Sequence, residues 1–394
     1  MSKKLKKIIP DLRFPSFDGD WTAKRLSEIS NEIGDGLHGT PKYDEDGEYY
    51  FVNGNNLINN KIEFDENTKL IGESEYLKYR DALASQTILI SINGTIGNLA
   101  FYNHEKIALG KSICYINLIS EENKIFVFYL LQTSSIKSHF NKELTGSTIK
   151  NLSLATIRNT KPLFPSYEEQ EKIASFLGAI DKRLTELRRK HKLLQTYKRG
   201  VMQKIFSQEV RFKGAIGESF PTWEKTTLGQ LGVFFDAQRI PLSSEERKSK
   251  QGIYPYYGAS GIIDLIDDYI FDGSYILLAE DGANIVTRST PIAFMAEGKF
   301  WVNNHAHILK SKGSNKFLME YLENLRYEKY NTGTAQPKLN AEVCKKIKIK
   351  APLSEEQEKI ADFLTAIDRK IEAVARQVDR TEQFKKGLLQ KMFV

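Results

Sequence analysis

Cysteine is almost absent from this sequence, which has Cys114 and Cys344 as its two thiols in 394 residues. Two cysteines are too few for a disulfide scaffold or a zinc site, so we expect a reducing, cytoplasmic environment. Long apolar runs are also missing, and the lysines between residues 3 and 7 do not lead into the apolar segment of a signal peptide. These absences predict a soluble intracellular protein that does not enter a membrane.

The composition is that of a globular chain with a mildly basic balance. Hydrophobic residues make up 41% of the sequence, which is long enough for two ordinary domains. The formal net charge of +7 favours an acidic partner such as nucleic acid. This signal is weak, because many proteins without such a partner have a similar excess of lysine and arginine.

One stretch of the sequence is present twice. Residues 168–206 and 355–393 align without a gap at a constant offset of 187, and both begin with the letters EEQEKIA. The segments around them are dissimilar, so the match indicates an internal duplication. Pro165 and Pro352 precede the two copies, and the acidic residues that follow suit the positive end of a helix dipole.

Both copies have the heptad pattern of a coiled coil, with apolar residues alternately four and three positions apart. His191 and Thr381 interrupt the pattern, which suggests one specified partner. Two equal helices in one chain most simply pair with each other, and a two-fold relation between the repeats would make them antiparallel. The apolar positions are Ile173, Leu177, Ile180, Leu184, Leu187 and Leu194 in the first copy and Ile360, Leu364, Ile367, Ile371, Val374 and Val378 in the second.

A second pair of motifs stands before the variable parts of the chain. Arg13-Phe14 precedes Trp21, and Arg211-Phe212 precedes Trp223. The second copy of the duplicated stretch lacks the linker that follows the first. We therefore expect residues 9–14 to take the place of that linker in space.

The two variable regions contain short β-rich runs, Gly-Asn or Asp-Gly turns and late helical segments, which predict α+β domains in a pseudo-two-fold repeat. The predicted strands include 49–52, 87–92, 113–119, 275–279, 291–296 and 306–310, and the predicted helices are 126–140 and 316–330. The predicted division is an N-terminal segment 1–20, a first domain 21–165, a first long helix 166–207, a linker 208–222, a second domain 223–352 and a second long helix 353–394.

Two groups of residues resemble catalytic or metal sites. Asp281, Glu297 and Lys299 have the order of a nuclease that holds Mg²⁺ between carboxylates, which leaves a site-specific magnesium-dependent nuclease as the alternative function. Such triplets are frequent by chance. His305 and His307 alternate along a predicted strand, but without further ligands nearby they are better explained as structural or base-contacting residues than as metal ligands. We expect no catalytic residue and no metal site.

The turns of both variable regions are rich in groups that bind DNA. Amides, hydroxyls, lysine and arginine match the acceptors and donors of base edges and phosphates, although Asn, Gly and Ser also populate turns for backbone reasons. The candidate DNA-binding residues are His38, Thr40, Lys42, Asn53, Asn55, Asn93, Thr95, Lys111, Ser112, Ser147, Lys150, Tyr256, Tyr257, Ser260, Asn284, Arg288, Asn304, His305, Thr334 and Lys338.

Together these features resemble the specificity subunit of a type I restriction-modification system. The resemblance covers nearly the whole chain and rests on the duplicated EEQEKIA helices, the closing GVMQKIF and GLLQKMF segments, the turns at 145–147 and 332–334, and the YPYYGASGIID and FWVNNHAH stretches. It implies two target recognition domains, each recognising one half of a bipartite site in double-stranded DNA. It also implies that two long helices separate them as an antiparallel coiled coil.

The resemblance further implies that this chain binds no cofactor and is not an enzyme. In such a system two methylation (M) subunits use S-adenosylmethionine, and two restriction and translocation (R) subunits use ATP and Mg. The charged outer faces of the helices are one candidate surface for these partners, through Lys182, Arg183, Arg188, Arg189, Arg369 and Lys370. The preferred partner-binding residues are the apolar ones of the closing segments, Val201, Met202, Ile205, Phe206, Leu388, Leu389, Met392 and Phe393.

Overall fold

The computed structural model describes residues 9–78, 83–146, 150–333 and 336–394. The chain forms two compact units. Unit 1 comprises Met1–Leu187 and Arg376–Val394, and unit 2 comprises Arg188–Ala375. Each unit therefore contains one variable region, the first part of one long helix and the last part of the other.

Short strands precede a long helix in the first half of the chain. The strands are β1 (Thr22–Ala23), β2 (Ser30–Asp35), β3 (Tyr49–Val52), β4 (Leu57–Ile58), β5 (Lys61–Ile62), β6 (Leu70–Ile71), β7 (Thr87–Ser91), β8 (Leu99–Phe101), β9 (Ile107–Leu109), β10 (Ile113–Leu118) and β11 (Leu163–Phe164). The helices are α1 (Glu73–Lys78), α2 (Lys124–Leu130), α3 (Ser134–Lys142), α4 (Leu154–Asn159) and the long α5 (Tyr167–Phe206).

The second half repeats this order with longer strands. The strands are β12 (Glu224–Thr227), β13 (Gly232–Phe234), β14 (Gln251–Gly258), β15 (Gly261–Ile266), β16 (Phe271–Ala279), β17 (Ala293–Val302), β18 (Ala306–Ser311) and β19 (Lys348–Ala351). The helices are α6 (Leu228–Leu231), α7 (Ser244–Ser249), α8 (Asn284–Thr287), α9 (Asn315–Asn324), α10 (Ala341–Lys345) and the long α11 (Ser354–Lys391). In the described ranges, no helix is both long and apolar enough to cross a bilayer.

The main sheet of unit 1 has the strand order β2-β10-β7-β8, and a smaller sheet has the order β6-β3-β9. Alternate residues of β7 enter two different cores. Ile88 and Ile90 share a core with Phe126 of α2, whereas Leu89 shares a core with Val52 of β3. Because both faces of the sheet are covered, the strand is apolar along nearly its whole length.

The sheet of unit 2 has the order β13-β18-β16-β17-β14-β15. Its central strand β16 also divides its side chains between two cores, with Ile276 and Leu278 in one and Leu277 in the other. In both units an early strand pairs in parallel with a later one, β3 with β9 and β14 with β17. The shared arrangement confirms the predicted α+β class and the internal repeat.

The long helices pair in an antiparallel manner within each unit. In unit 1, Leu177 near the beginning of α5 lies in one core with Leu388 and Met392 near the end of α11. In unit 2, Ile205 near the end of α5 lies in one core with Leu364 near the beginning of α11. The predicted heptad positions are buried or half-buried, which confirms the antiparallel coiled coil.

An ion pair joins the two long helices at equivalent positions of each unit. Asp181 of α5 lies 2.7 Å from Lys385 of α11, and Lys198 of α5 lies 2.8 Å from Asp368 of α11. Each residue is 187 positions from its counterpart of the same type, so the contact repeats with the duplication. Because sliding either helix would separate the charged groups, these pairs help to specify the register.

The N-terminal segment lies where the sequence predicted. The N–H of Leu12 donates to the carbonyl of Lys391 at 2.8 Å, and the N–H of Val210 donates to the carbonyl of Lys204 at 3.1 Å. Lys204 and Lys391 are equivalent residues at the ends of α5 and α11. Residues 9–14 therefore contact the end of α11 as the linker contacts the end of α5.

Both predicted late helices are interrupted. The segment 126–140 contains parts of α2 and α3, because the Thr133 hydroxyl accepts from the N–H of Ile136 and caps a new helix. The segment 316–330 ends as a regular helix at Asn324 and continues only as a 3-10 turn at Glu328–Tyr330. The Thr133 cap divides the first segment into two helices, which apolar periodicity by itself does not reveal.

Candidate nucleic-acid interface

Loops of unit 1 meet at the end of the parallel pair β3 and β9. The N–H of Gly110 donates to the carbonyl of Val52 at 2.8 Å, and the Ser112 hydroxyl donates to Asn53 Oδ1 at 2.9 Å. The N–H of Ile92 donates to the carbonyl of Ser112 at 2.9 Å. These bonds bring the segments that follow β3, β7 and β9 to one site, so the candidates Asn53 and Ser112 lie together.

Glycine permits this close approach of three loops. A Cβ atom on Gly110 would lie 2.3 Å from Asn53 Oδ1, and a Cβ atom on Gly54 would lie 3.3 Å from Thr95 Oγ1. A larger residue at position 110 would therefore displace the Asn53 side chain, which holds Ser112. The second distance also places Thr95 beside the turn that contains Asn53.

Side chains that can bind DNA remain exposed at this end of unit 1. Asn55, Thr95 and Lys111 are exposed, whereas Asn53 and Ser112 are half-buried and hold each other. Lysine supplies a charge for a phosphate, and the amide and hydroxyl supply groups for a base edge. Asn55, Thr95 and Lys111 are named the unit 1 loop cluster.

A neighbouring loop carries two further candidates. The Nε2 atom of exposed His38 lies 2.7 Å from Asp35 Oδ2. The N–H of Lys111 donates to the carbonyl of Leu37 at 2.9 Å, which joins this loop to the unit 1 loop cluster. Thr40 is exposed two residues beyond His38.

The remaining unit 1 candidates are more scattered. Asn93 pairs with Asn151 in an isolated β-bridge, next to exposed Lys150. Lys42 is exposed and its backbone N–H bonds to a glutamate of α1 at 3.0 Å. Ser147 lies outside the described residues.

Unit 2 assembles its loops on the same arrangement of strands. The N–H of Asn303 donates to the carbonyl of Tyr257 at 3.0 Å, which joins the ends of β14 and β17. The N–H of Gly282 donates to the carbonyl of Pro337 at 3.0 Å, which joins the turn after β16 to the loop 331–339. Since the N–H of Glu280 also donates to the carbonyl of His305 at 2.8 Å, the segments after β14, β16 and β17 meet one later loop.

Asp281 holds His305 at this end of unit 2. The Nδ1 atom of His305 lies 2.8 Å from Oδ2 and 3.0 Å from Oδ1 of the carboxylate. Because a carboxylate accepts hydrogen bonds, Nδ1 carries the proton and Nε2 is left for a ligand. A neutral ring would accept a hydrogen bond at Nε2, and a cationic ring would donate one, so either form fits a base edge.

Further exposed candidates belong to the loops of unit 2. Asn304 precedes His305, Lys338 forms a β-bridge with the residue that holds His305, and Ser260 lies in the turn between β14 and β15. Asn304, His305 and Lys338 are named the unit 2 loop cluster. Thr334 lies outside the described residues.

Three unit 2 candidates have structural roles. Burial contradicts the prediction that Tyr256 contacts DNA, whereas DNA contact by the half-buried Asn284 and Arg288 stays a prediction. Tyr256 is fully buried and its hydroxyl accepts from a backbone N–H at 2.9 Å. The Asn284 amide donates to the carbonyl of Thr290 at 3.0 Å and closes its own loop. Arg288 forms an ion pair with Glu323 at 3.0 Å. Their polar groups are satisfied within the unit, which the residue types alone could not indicate.

Tyr257 is intermediate between these two groups. Its ring packs against Phe294 and Phe300, with centroid distances of 5.9 and 5.6 Å. Burial, assisted by the charge of Glu297, raises the pKa of its hydroxyl. The ring therefore belongs largely to the core, and DNA contact by its hydroxyl stays a prediction.

The predicted nuclease arrangement is wrong. Glu297 lies opposite Ser274 and Lys299 lies opposite Asp272 in the β16–β17 hairpin, whereas Asp281 follows the other end of β16. At about 3.3 Å per residue, the two carboxylates are separated by about 20 Å along the strand. A single Mg²⁺ ion has ligands at about 2.0–2.1 Å and cannot bridge them.

The apolar closing segments of the long helices are mostly internal. This contradicts the prediction of their buried residues as partner anchors, whereas partner binding by the half-buried ones stays a prediction. Their side chains complete the cores of the units because the antiparallel pairing brings each helix end against a variable region. The buried residues are Met202, Ile205, Leu388, Met392 and Phe393, and the half-buried ones are Val201, Phe206 and Leu389.

Two aromatic residues that the sequence reasoning missed are exposed on the long helices. Tyr197 of α5 is 52% exposed and Phe384 of α11 is 55% exposed. They are 187 positions apart and lie outside the heptad seam. The sequence signal for this pair was an aromatic residue that is present in both copies at the same position outside the heptad seam.

The family comparison covers both variable regions and most of both long helices. Residues 18–195 and 221–380 match the family described as the type I restriction modification DNA specificity domain. The two matches correspond to the two halves of the duplication.

The chain is also similar to proteins described as type I restriction enzyme specificity subunits. The chain is 26% identical over 362 residues to the type I restriction enzyme MjaVIII specificity subunit of Methanocaldococcus jannaschii, a match that covers 80% of this chain and 83% of that protein. It is 39% identical over 146 residues to a provisionally assigned type I restriction enzyme specificity subunit of Haemophilus influenzae. The second match covers 36% of this chain and 37% of that protein.

Solved structures share the fold over nearly the full length. The S subunit of a type I restriction-modification system from M. genitalium aligns with a TM-score of 0.62 at 20% identity, covering 98% of this chain and 99% of that one. A second solved chain comes from a study of complex assembly and conformational transition of the type I R-M system. It aligns with a TM-score of 0.53 at 17% identity, covering 94% of this chain and 97% of that one.

Proposed function

Because this chain belongs to the type I restriction modification DNA specificity family, we propose that it recognises the DNA target of a type I restriction-modification complex. Each unit recognises one half of a bipartite site, unit 1 through its loop cluster and unit 2 through its own. The chain performs no catalysis and binds no cofactor. Two methylation subunits supply S-adenosylmethionine-dependent methylation, and two restriction subunits use ATP and Mg. Its two free, buried cysteines fit a cytoplasmic location.

One observation carries this proposal. The two loop clusters lie at equivalent ends of equivalent sheets but present different chemical groups. Unit 1 exposes an amide, a hydroxyl and an amine, whereas unit 2 exposes an amide, an imidazole and an amine. Asp281 follows β16 where Asn93 follows β7, so the groups beneath the clusters differ as well. Two unlike recognition surfaces on one arrangement are what an asymmetric bipartite site requires.

Exchanging residues 21–165 for the corresponding region of another family member is expected to change one half of the methylated motif and to leave the other half intact. The motif is measured by methylation-sensitive sequencing of DNA from cells that contain the chain with its methylation subunits. The matched exchange of residues 223–352 should change the opposite half. If either exchange altered both halves, the assignment of one unit to one half-site would be refuted.

We propose that the methylation subunits dock at the repeated exposed aromatics. Tyr197 belongs to unit 2 and Phe384 belongs to unit 1, so each unit has one such residue at an equivalent place on the helix pair. Exposed aromatic residues are common energetic centres of protein interfaces. Two equivalent anchors suit two copies of one partner, which supports docking on the outer helix faces rather than on the closing segments.

Replacing Tyr197 or Phe384 with alanine is expected to release one methylation subunit, and replacing both should release two. Loss of an aromatic anchor costs about 2 kcal/mol or more, which weakens each interface about thirtyfold. Native mass spectrometry of the co-purified complex measures the stoichiometry. Ile216, which is 93% exposed in the linker, provides the control substitution to alanine. Retention of both subunits by the double variant would disprove this docking site.

A further inference from the structure

A buried histidine in unit 2 donates hydrogen bonds from both ring nitrogens. The side chain of His307, the second residue of β18, is 0% exposed. Its Nδ1 atom lies 2.7 Å from Asp236 Oδ2, and its Nε2 atom lies 2.8 Å from the backbone carbonyl oxygen of Leu339. Both neighbours are acceptors, so each ring nitrogen must carry a proton. The geometry therefore requires the charged form of His307.

The Asp236 carboxylate balances this charge. Its second oxygen accepts from the N–H of Ile308 at 2.9 Å, so the carboxylate is held in place by the backbone of β18. Burial by itself would lower the pKa of His307, but the hydrogen bond to Asp236 and the neighbouring Cys344 side chain outweigh it and raise the pKa to about 10. The pKa of Asp236 is correspondingly lowered, against the effect of its own burial, by His307.

Other charged groups complete the surroundings of this pair. The Glu280 carboxylate lies 3.6 Å from His307 Nδ1, 2.7 Å from an Arg239 nitrogen and 3.4 Å from Lys338 Nζ. Arg239 also approaches Asp236 at 3.9 Å. The cluster thus connects the buried imidazolium to Lys338, which belongs to the unit 2 loop cluster.

The group that His307 holds is the end of a recognition loop. Leu339 accepts from His307 through its carbonyl, and its N–H donates to the carbonyl of Glu280 at 2.7 Å. The carbonyl of the preceding residue, Lys338, accepts from the N–H of Thr332 at 2.8 Å, which joins these two residues. Both backbone groups of Leu339 are therefore used to fix this loop to the strands beneath it.

Unit 1 lacks this device at the equivalent place. The strands β10 and β18 occupy corresponding positions beside β7 and β16, and the second residue of β10 is Cys114. Cys114 is buried, and burial raises the pKa of its thiol, so it is neutral. The N–H of Leu152 still donates to the carbonyl of Ile92 at 2.9 Å, as Leu339 donates to Glu280. The loop of unit 1 is therefore attached without a buried cation.

We propose that charged His307 is a positioning residue for Leu339 and the adjoining residues 336–338, so that recognition of one half-site by unit 2 depends on its proton while recognition by unit 1 does not. This inference rests on the proposed function. The Asp236 carboxylate retains the proton on Nδ1, so loss of a proton would leave Nε2 facing the Leu339 carbonyl without a hydrogen, and Leu339 would lose one of the two bonds that hold it. Lys338 and the neighbouring His305 would then no longer be held against the DNA.

The sign of the pH dependence follows from the raised pKa. The stabilisation is fully present below pH 6.5, the ordinary pKa, and is lost as the pH rises through about 10. In the wild-type complex, unit 2 should therefore keep its discrimination through neutral pH. Replacing Asp236 with asparagine removes the charge that retains the proton, which should move this loss to lower pH by about 1–3 units.

The proposal is tested by measuring methylation by the assembled complex from pH 6.5 to 9.5. The DNA substrates have single-base changes in one half-site or the other. D236N should lose about tenfold or more of its discrimination in the unit 2 half-site as the pH rises, and keep it in the unit 1 half-site. H307Q places one amide donor group where the charged histidine has two N–H groups. It should therefore lose discrimination in the unit 2 half-site at every pH. C114S in unit 1 is the matched control and should keep the wild-type profile.

Two results would overturn the proposal. One is a D236N profile that superimposes on the wild type, and the other is an equal loss in both half-sites, which indicates general destabilisation. If H307Q fails to fold, the D236N profile still decides. If the wild-type complex shows no half-site discrimination at all, the proposed function fails instead.

Discussion

Replacing Arg13 with alanine is expected to lower the free energy of unfolding of unit 1 by about 3–5 kcal/mol. The Glu169 carboxylate is 1% exposed, and both its oxygens accept from the Arg13 guanidinium, each at 2.7 Å. Without Arg13 a buried carboxylate would remain at the start of α5, where the helix dipole stabilises it by only about 0.3–1 kcal/mol. Residues 9–14 should also detach from the helices. Hydrogen exchange, followed by mass spectrometry on peptides of each unit, measures the effect.

Unit 2 contains the matched control for this substitution. Arg211 binds Glu356 in the same bidentate manner, but Glu356 also accepts from the Trp223 indole N–H at 3.2 Å. R211A should therefore destabilise unit 2 by about 1 kcal/mol less than R13A destabilises unit 1. Adding E169Q to R13A should recover part of the loss, because a neutral amide costs less to bury. An R13A protein within about 0.5 kcal/mol of wild type would show that the ion pair does not secure the segment.

Lengthening both long helices by three heptads is expected to lengthen the spacer of the DNA target by about nine base pairs. Three heptads add about 31 Å of helix, and DNA rises about 3.4 Å per base pair. The insertions follow Leu187 in α5 and Val374 in α11, which are equivalent positions of the duplication. Whole heptads preserve the apolar seam. Nine base pairs are close to one turn of DNA, so both half-sites keep a similar orientation. Methylation-sensitive sequencing identifies the new motif.

Two variants test the reasoning behind this design. One heptad in both helices corresponds to about three base pairs, which rotates one half-site by about a third of a turn, so methylation should be much weaker. Three heptads in α5 alone would break its pairing with α11 and separate Asp181 from Lys385, so the folded complex should be lost. An unchanged spacer in the doubly lengthened protein would show that the helices do not determine the distance.

Periodicity in the sequence was sufficient for the long helices and several strands. The predicted helix 166–207 is observed as Tyr167–Phe206, and the predicted strand 49–52 is observed as Tyr49–Val52. Both depend on the periodicity of apolar residues along the sequence, and this periodicity does not depend on what the segment packs against. The offset of 187 also predicted contacts between distant segments, since equivalent residues of a duplication occupy equivalent places.

The candidate site was predictable as a set of loops but not residue by residue. Tyr256 was a candidate for DNA binding and Met202 for partner binding because of their residue types, yet both are buried. Glu169 has the position of a helix-dipole residue, yet it binds Arg13 from 156 positions away. The sequence indicates that His307 is a structural or base-contacting residue, but no sequence pattern identifies Asp236 as its partner. In each case the outcome depends on a segment distant in the chain.

The sequence by itself determined the duplication, the two long helices, their antiparallel pairing and the family, because all of these follow from repeated local patterns and from symmetry. Only the tertiary structure decided which polar groups of the loops remain exposed, which apolar helix ends are covered, and that His307 is held in its charged form. Burial and hydrogen bonding are properties of the space around a side chain, and that space is filled by residues from other parts of the chain.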